Sequence, residues 1–283
     1  MGPVLACRPM LLLTPDAAGL LTPFQAFVLG AIQGLTELLP VSSSAHLFVV
    51  PHLLGWPYAG LAFDVALHGG TLVALIIAFW NDWLSLFRNL FASDPQLQRD
   101  SRAVWLQLVL ASIPAAIVGK LLGDVAEDKL RSMPLQALML FVFGGLLWAA
   151  DRFLPKGRDA ANPGLPAALL MGFAQCLALV PGVSRSGITM TAGRTAGLSR
   201  LSAARFSFLL ATPITFGALL LKVKDLPADL DMKVLAIGVV SAAVFGILAI
   251  RVLMGMLKRV GFGVFFAYRA VLALVILVWL RGH

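Results

Sequence analysis

Charge is scarce in this chain. Only 13% of its 283 residues are Asp, Glu, Lys or Arg, against roughly 25% in an ordinary soluble domain. Cysteine is scarcer still: Cys7 and Cys176 stand alone. That count excludes both a disulfide framework and a thiolate metal centre. No G-x-x-x-x-G-K-[ST] segment occurs, which excludes a P-loop nucleotide engine, and no H-E-x-x-H, which excludes a zincin protease. What fills the chain is apolar: 59% hydrophobic residues and a mean hydropathy of +0.90. Runs 72–80, 103–118, 135–150, 201–221, 234–250 and 264–280 carry almost no charge. Several approach the ~20 residues that a helix needs to cross ~30 Å of hydrocarbon. The composition is that of an all-α polytopic membrane protein.

The net charge of +8 does not point to nucleic acid. Arg88, Arg102, Arg152, Lys156, Arg158, Lys222, Lys224, Lys258 and Arg259 fall between apolar runs, where cations orient a chain against the cytoplasm and anionic lipid. Alternate loops differ too little in the sequence to set the topology. Trp80, Trp83, Trp105 and Trp148 sit near run ends, as in an interfacial aromatic belt. Residues 1–20 have a short apolar stretch broken by Pro15-Asp16, and read as a dispensable extension rather than a signal peptide.

The remainder, 21–283, reads as one membrane domain built of two repeats, about 21–160 and 161–283. A helix over 22–38 stops at Pro40, a polar turn occupies 41–46, and a short helix follows over 47–54. Spans are expected over 62–80, 103–122 and 134–150, with polar loops at 81–102 and 123–133. After a linker at 151–166 the pattern restarts: a helix over 167–180 stops at Pro181-Gly182, a second polar turn covers 183–187, and a short helix runs over 188–198. Spans near 202–221, 233–254 and 262–280 complete the chain.

The two turns are variants of one motif. Aligned from Gln33 and Gln175, they agree at Leu35/Leu177, Val41/Val183, Ser42/Ser184 and Ser44/Ser186, at a constant offset of 142 residues. Short, Pro-interrupted segments at corresponding positions of two halves mark a site between inverted repeats. Non-helical backbone at membrane depth survives only when buried in protein or lining a wet cavity. Two re-entrant helix-turn-helix hairpins facing each other are therefore expected.

Polar residues at that depth are rarely kept without use. Ser42, Ser43 and Ser44 precede a helix start, where one hydroxyl is expected to cap free N–H groups. Three in a row with His46 behind exceed what capping needs, and a hydroxyl near an imidazole is the minimal nucleophile–base pair. Glu37, in Leu35-Thr-Glu-Leu-Leu, must be paired, metal-bound or protonated, and Gln33 shares its helix face. Arg185, between Ser184 and Ser186, offers forked donors that match a phosphate. The backbone around Gly187 and the following helix start add N–H donors for an anion. A pair between Arg185 and Glu37 across the repeats is compatible with this, formed before substrate enters. Asp64 and His68 form a weaker candidate polar face. Arg194, Arg200 and Arg205 read as loop or membrane-edge charges, and the 151–160 cluster as a solvated loop.

Residues Gln33-Gly-Leu-Thr-Glu37-Leu-Leu-Pro40-Val-Ser42-Ser43-Ser44-Ala45-His46-Leu47 resemble the first signature of the undecaprenyl-diphosphatase (bacitracin-resistance) family. Pro181-Gly-Val-Ser184-Arg185-Ser186-Gly187 resembles its second. Segments 63–71 and 203–210 are similar to further family stretches, so the likeness runs from about residue 22 to near the C-terminus. It implies a multi-pass bacterial inner-membrane enzyme with interlocking inverted repeats and a site open to the periplasm. The activity implied is hydrolysis of undecaprenyl diphosphate to the monophosphate and phosphate, recycling the lipid carrier of cell-wall synthesis. A divalent cation, Mg²⁺ or Ca²⁺, is implied as well. Glu37 then matches the second acidic residue of the family's [E/Q]-x-x-x-E motif, Ser43 and His46 the hydroxyl and imidazole, and Arg185 the diphosphate-binding arginine.

Two departures matter. Gln33 stands where some members carry Glu, and a neutral amide cannot act as a base. Ser44-Ala45 stands where many have Thr-Gly. The sequence thus assigns Glu37, Ser43, His46 and Arg185 to catalysis, Glu37 to the cation, and Gln33, Ser42, Ser44, Ser184, Ser186 and Gly187 to substrate binding. Attack by Ser43 assisted by His46, and attack by His46 itself, both remain open. The rival reading is a polyprenyl-phosphate or anion transporter using the same inverted-repeat site. The expected partners are a polyprenyl diphosphate and membrane lipid, with no nucleic acid; a homo-oligomer stays compatible.

Overall fold

The computed structural model describes residues 21–222, 224 and 231–282, except 59, with the backbone alone described at 124–128. The extension at 1–20 lies outside the described residues. Eleven α-helices occur among those described: α1 Pro23–Leu38, α2 Ser43–Leu54, α3 Leu61–Ala78, α4 Trp80–Arg88, α5 Pro95–Leu130, α6 Met133–Phe153, α7 Leu165–Gln175, α8 Arg185–Thr195, α9 Arg200–Lys222, α10 Met232–Met256 and α11 Gly263–Gly282. Six of them (α3, α5, α6, α9, α10 and α11) are long and apolar enough to cross a membrane. The chain is a multi-pass, all-α membrane protein.

Local chemistry accounts for several ends. Thr22 and Gln25 form a reciprocal capping box at the start of α1, and Pro sits in the first turn of α1, α5, α6 and α7, where its missing N–H costs nothing. Two expected boundaries shift. The first polar turn shortens to 39–42, because α2 begins at Ser43; Ser43, Ser44 and His46 are thus helical. The second likewise ends at Ser184, so Arg185, Ser186 and Gly187 open α8. The expected loop at 81–102 is mostly helical. Trp80–Arg88 forms the amphipathic α4 with no buried residue, and α5 starts at Pro95, capped by the Asp94 carboxylate at 2.8 Å from the Gln96 N–H. At the far end α5 continues through 123–130.

Helices from the beginning and end of the chain pack on one another. α1 and α3 both lie against α10, α7 lies against α5, and α6 pairs with α11. Glycine permits the tightest crossings. A methyl group at Gly30 would sit 2.2 Å from the Gly238 carbonyl oxygen, and one at Gly172 2.3 Å from that of Ala111. The largest buried apolar cluster joins Leu38, Leu75, Leu108, Met190, Phe208 and Leu253, so both halves share one core.

Candidate active site

Both turns enter their second helix through a serine with positive φ, Ser42 at 76° and Ser184 at 74°. Side chains other than glycine adopt such angles at a cost, and they concentrate at functional sites. The consequence is that the first residues of α2 and α8 are turned towards each other. Ser42 and Ser44 are within 3.2 Å through their hydroxyls, Ser184 and Ser186 within 3.3 Å. The Ser44 hydroxyl accepts the Gly182 N–H at 3.4 Å, and the Ser186 hydroxyl donates to the carbonyls of Glu37 and Leu39 at 3.2 Å.

Glu37, buried at the end of α1, is the hub. One carboxylate oxygen accepts the Ser43 hydroxyl and the other the Arg185 guanidinium. The His68 Nε2 atom stands 3.4 Å from the oxygen that Ser43 contacts, while its Nδ1 donates to the Asp64 carbonyl at 2.8 Å. A pocket of about 230 Å³ opens over this cluster. Its polar wall is Glu37, Ser42, Ser43, Ser44, His68, Gln175, Ser184 and Arg185; Val65, Ala115, Leu179, Ile214 and Ala218 supply an apolar wall. The volume is below the ~300 Å³ at which drug-sized ligand sites begin; it suits a polar head group whose apolar remainder stays outside. The Arg185 Nη1 atom and both ends of the Gln175 amide are buried without a hydrogen-bond partner, so donors remain for a ligand.

The structure therefore brings together Glu37, Ser43 and Arg185, with Ser42, Ser44 and Ser184 around them. It does not bring His46 to the pocket. Its Nδ1 donates to the Ser42 carbonyl at 2.7 Å, and its Nε2 lies 2.7 Å from the Tyr268 hydroxyl; the two rings stack at 5.6 Å. Ser186 and Gly187 brace the turn instead of lining the pocket: Gly187 donates its N–H to Ser184 Oγ at 3.2 Å. Gln33 is fully buried, with an unpartnered amide, and does not line the pocket; Gln175, its counterpart in the motif, does. Asp64 is drawn to Arg131 at 2.6 Å and Tyr58 at 2.7 Å, away from Glu37. Arg194 is only 4% exposed and donates to the Leu198 and Pro155 carbonyls, in the connections that follow α8 and α6.

Arg269 escaped the sequence reading altogether. It is fully buried in α11 and donates to the carbonyls of Pro40, Gly182 and Val183, and to Met139 and Leu140 of α6. One guanidinium thus ties both turns to α6. A lone arginine inside the apolar run 264–280 was the available signal, since charge at that depth rarely lacks a task.

The family model described as Bacitracin resistance protein BacA matches residues 26–275. Among curated relatives, the undecaprenyl-diphosphatase of Pelotomaculum thermopropionicum is 47% identical over 91% of this chain and 97% of its own length. Those of Desulforudis audaxviator and Gemmatimonas aurantiaca are 45% and 48% identical, each over 93% of this chain and 100% of theirs. Both serine turns, Glu37 and Arg185 fall inside the matched region, and on this evidence the chain belongs to the bacitracin-resistance (BacA) family, alongside those undecaprenyl-diphosphatases.

Proposed function

We propose that the chain hydrolyses undecaprenyl diphosphate to undecaprenyl phosphate and phosphate, with the chemistry assigned to Ser43, Glu37 and Arg185. The observation that carries the assignment is the bond from the Ser43 hydroxyl to Glu37, whose other oxygen is held by Arg185. A nucleophile touching a base that a third group orients is the recurring pattern of covalent catalysis. The diphosphate offers Arg185 a better partner than one carboxylate. As the guanidinium turns to it, Glu37 loses its counter-ion and gains strength as a base. Glu37 then takes the Ser43 proton while Ser43 Oγ attacks the terminal phosphorus. The bond from that phosphorus to the bridging oxygen breaks, and undecaprenyl phosphate leaves. Once Glu37 has passed the Ser43 proton to the departing undecaprenyl phosphate, water attacks the phosphoserine and loses a proton to Glu37. The bond from phosphorus to Ser43 Oγ breaks, Glu37 returns the proton to that oxygen, and phosphate is released. Arg185 neutralises the phosphoryl charge, the chief requirement of phosphoryl transfer. His46 takes no part in the transfer; its ring holds the Ser42 carbonyl and so the shape of the turn.

A divalent cation, Mg²⁺ or Ca²⁺, fits the donors present. Glu37, the serine hydroxyls and the unpartnered Gln175 amide are hard oxygen ligands, and Mg²⁺ commonly takes one or two carboxylates plus substrate phosphates. Among the described residues no group of three His, Cys, Asp or Glu could hold a metal ion; substrate phosphate oxygens would complete such a site. Bound there, the cation would supply further neutralisation of the phosphoryl oxygens.

Packing supports an inverted repeat. Gly30 and Gly172, again 142 residues apart, each receive a carbonyl at contact distance from a long helix of the other half. Helices α1, α2, α7 and α8, of 16, 12, 11 and 11 residues, are short for a ~30 Å core, as re-entrant hairpins should be. Charge supports an orientation. The connections at 79–94, 154–164 and 257–262 carry Arg88, Lys156, Arg158, Lys258 and Arg259, whereas 55–60, 131–132 and 223–231 carry only Arg131 and Lys224. The positive-inside rule puts the first group in the cytoplasm. The pocket is lined from the N-terminal half of α3 and the C-terminal half of α9, nearer the opposite, periplasmic side.

Phosphate release from a polyprenyl diphosphate by the purified protein tests this reading. Release that is lost in Arg185→Ala and reduced by chelator supports it. Intact diphosphate with coupled ion flux would instead establish a carrier.

A further inference from the structure

A second cleft lies at the other end of the bundle, where α6 ends and α9 and α11 begin. It encloses about 440 Å³ and is lined by Trp148, Asp151, Arg152, Lys156, Arg200 and Gly261, among others. None of these lines the active-site pocket. Leu140, which Arg269 ties to the turns, and Asp151 are both on α6, roughly 16 Å apart at 1.5 Å per residue.

The charges of this cleft do not cancel. Asp151 is buried, and both its oxygens are spent. One accepts Arg200 Nε at 2.6 Å with Arg194 Nε at 3.4 Å, and the other accepts the Phe262 N–H at 3.0 Å. The Arg200 side chain remains 37% exposed, and its Nη2 stands beside Gly261. Arg152 and Lys156 have no carboxylate partner among the described residues. Three cationic heads therefore border one hollow that holds no anion of its own to match them. The hollow exists because of Gly261. A methyl group there would stand 2.6 Å from Asp151 Oδ2 and 2.9 Å from Arg200 Nη2, so any side chain would fill the floor or break the pair beneath it.

The rim is apolar. Phe153 is 71% exposed, and Val260 and Val264 are more than 40% exposed. The outer faces of α6 and α11 continue the same surface through Phe141, Leu146, Val271 and Val275. A cationic cleft at a membrane boundary, opening onto an apolar wall that runs into the hydrocarbon, matches an amphiphile with an anionic head. A free anion would use the three cations and leave the wall unused. Loop charges that merely obey the positive-inside rule need no hollow between them.

We infer that this cleft binds an anionic glycerophospholipid, its phosphate held by Arg152, Lys156 and Arg200 and its acyl chains laid along α6 and α11. The inference is independent of the reaction assigned to the other site.

The test is lipid retention on the delipidated, detergent-purified protein, read by native mass spectrometry and melting temperature. The probes are dioleoyl phosphatidylglycerol, dioleoyl phosphatidylcholine and inorganic phosphate. Wild type should retain phosphatidylglycerol with a raised melting temperature, and respond to neither of the others. The exposed double variant Arg152→Gln/Lys156→Gln should bind it at least tenfold more weakly. Arg88→Gln/Arg102→Gln removes the same charge at the same end of the bundle and should bind as wild type does. Equal loss in both double variants would reduce the effect to surface potential and overturn the site. So would unchanged retention in Arg152→Gln/Lys156→Gln, equal retention of phosphatidylcholine, or a rise in melting temperature produced as well by inorganic phosphate.

Discussion

Ser42 and Ser184 share one backbone conformation, φ 76° and 74°, although 142 residues separate them. Strain of this kind costs about 1–3 kcal/mol per residue. Ser42 makes no side-chain cap bond, so Ser42→Gly gives up no cap and relieves the backbone. Its melting temperature in detergent should equal or exceed wild type, while Ser42→Val should fall below it. Both lose a hydroxyl of the pocket wall, and turnover should drop in each. A stable Ser42→Val protein would show that the turn is not held in this form.

Glu37→Gln keeps shape and removes the base. Turnover should fall by about 10²–10⁴, and the melting temperature should fall as well, because Arg185 loses the carboxylate it pairs with. Arg185→Ala should cost about 10²–10³. Phosphate release at saturating polyprenyl diphosphate measures both.

The roles of Ser43 and His46 separate by trapping. Acid-quenched wild type should carry covalent phosphate from a labelled terminal phosphoryl group, and Ser43→Ala should carry none. His46→Leu should still form it. Its principal loss should be in stability, about 1–3 kcal/mol for the buried partners left unpaired. Covalent phosphate on Ser43→Ala that disappears in His46→Leu would make the histidine the nucleophile.

Arg269→Met leaves five carbonyl contacts without their donor. A buried acceptor left without its partner costs about 1–3 kcal/mol. The variant should melt well below wild type and lose turnover with it. A stable Arg269→Met with normal turnover would remove Arg269 from the support of the turns.

Gly172→Leu should destabilise by forcing α7 away from the Ala111 carbonyl, overpacking worth about 1–3 kcal/mol or more. Gly217, with open space around it, should accept alanine without loss. Melting temperatures of the pair make the comparison.

Much of this arrangement was legible in the chain. The spans over 62–80, 134–150, 202–221, 233–254 and 262–280 appear close to their expected limits because apolar runs between charges leave little choice. Glu37, Ser43 and Arg185 were visible as polar groups without a reason to be where they are. The helix starts were misplaced because Ser42 and Ser184 take positive φ, which no propensity for serine suggests; helices α2 and α8 therefore begin earlier. His46 was placed beside Ser43 by sequence proximity. On a helix, residues three apart share a face, but the partner that orients this imidazole is Tyr268, at the far end of the chain. His68 was recognised as polar, yet its approach to Glu37 depends on how α3 packs on α1. Arg269 differs, since the rule that singled out Glu37 applies to it equally.

The packing of α1 against α10 has a price during synthesis. Some 190 residues separate the end of one from the start of the other. At the roughly 5–20 residues per second of translation, α1 leaves the ribosome about 10–40 s before its partner exists. For most of that time Gln33 and Glu37 have neither α8 nor α10 to cover them. The candidate site, which joins Glu37 and Ser43 to Gln175, Ser184 and Arg185, cannot form until α8 has been made.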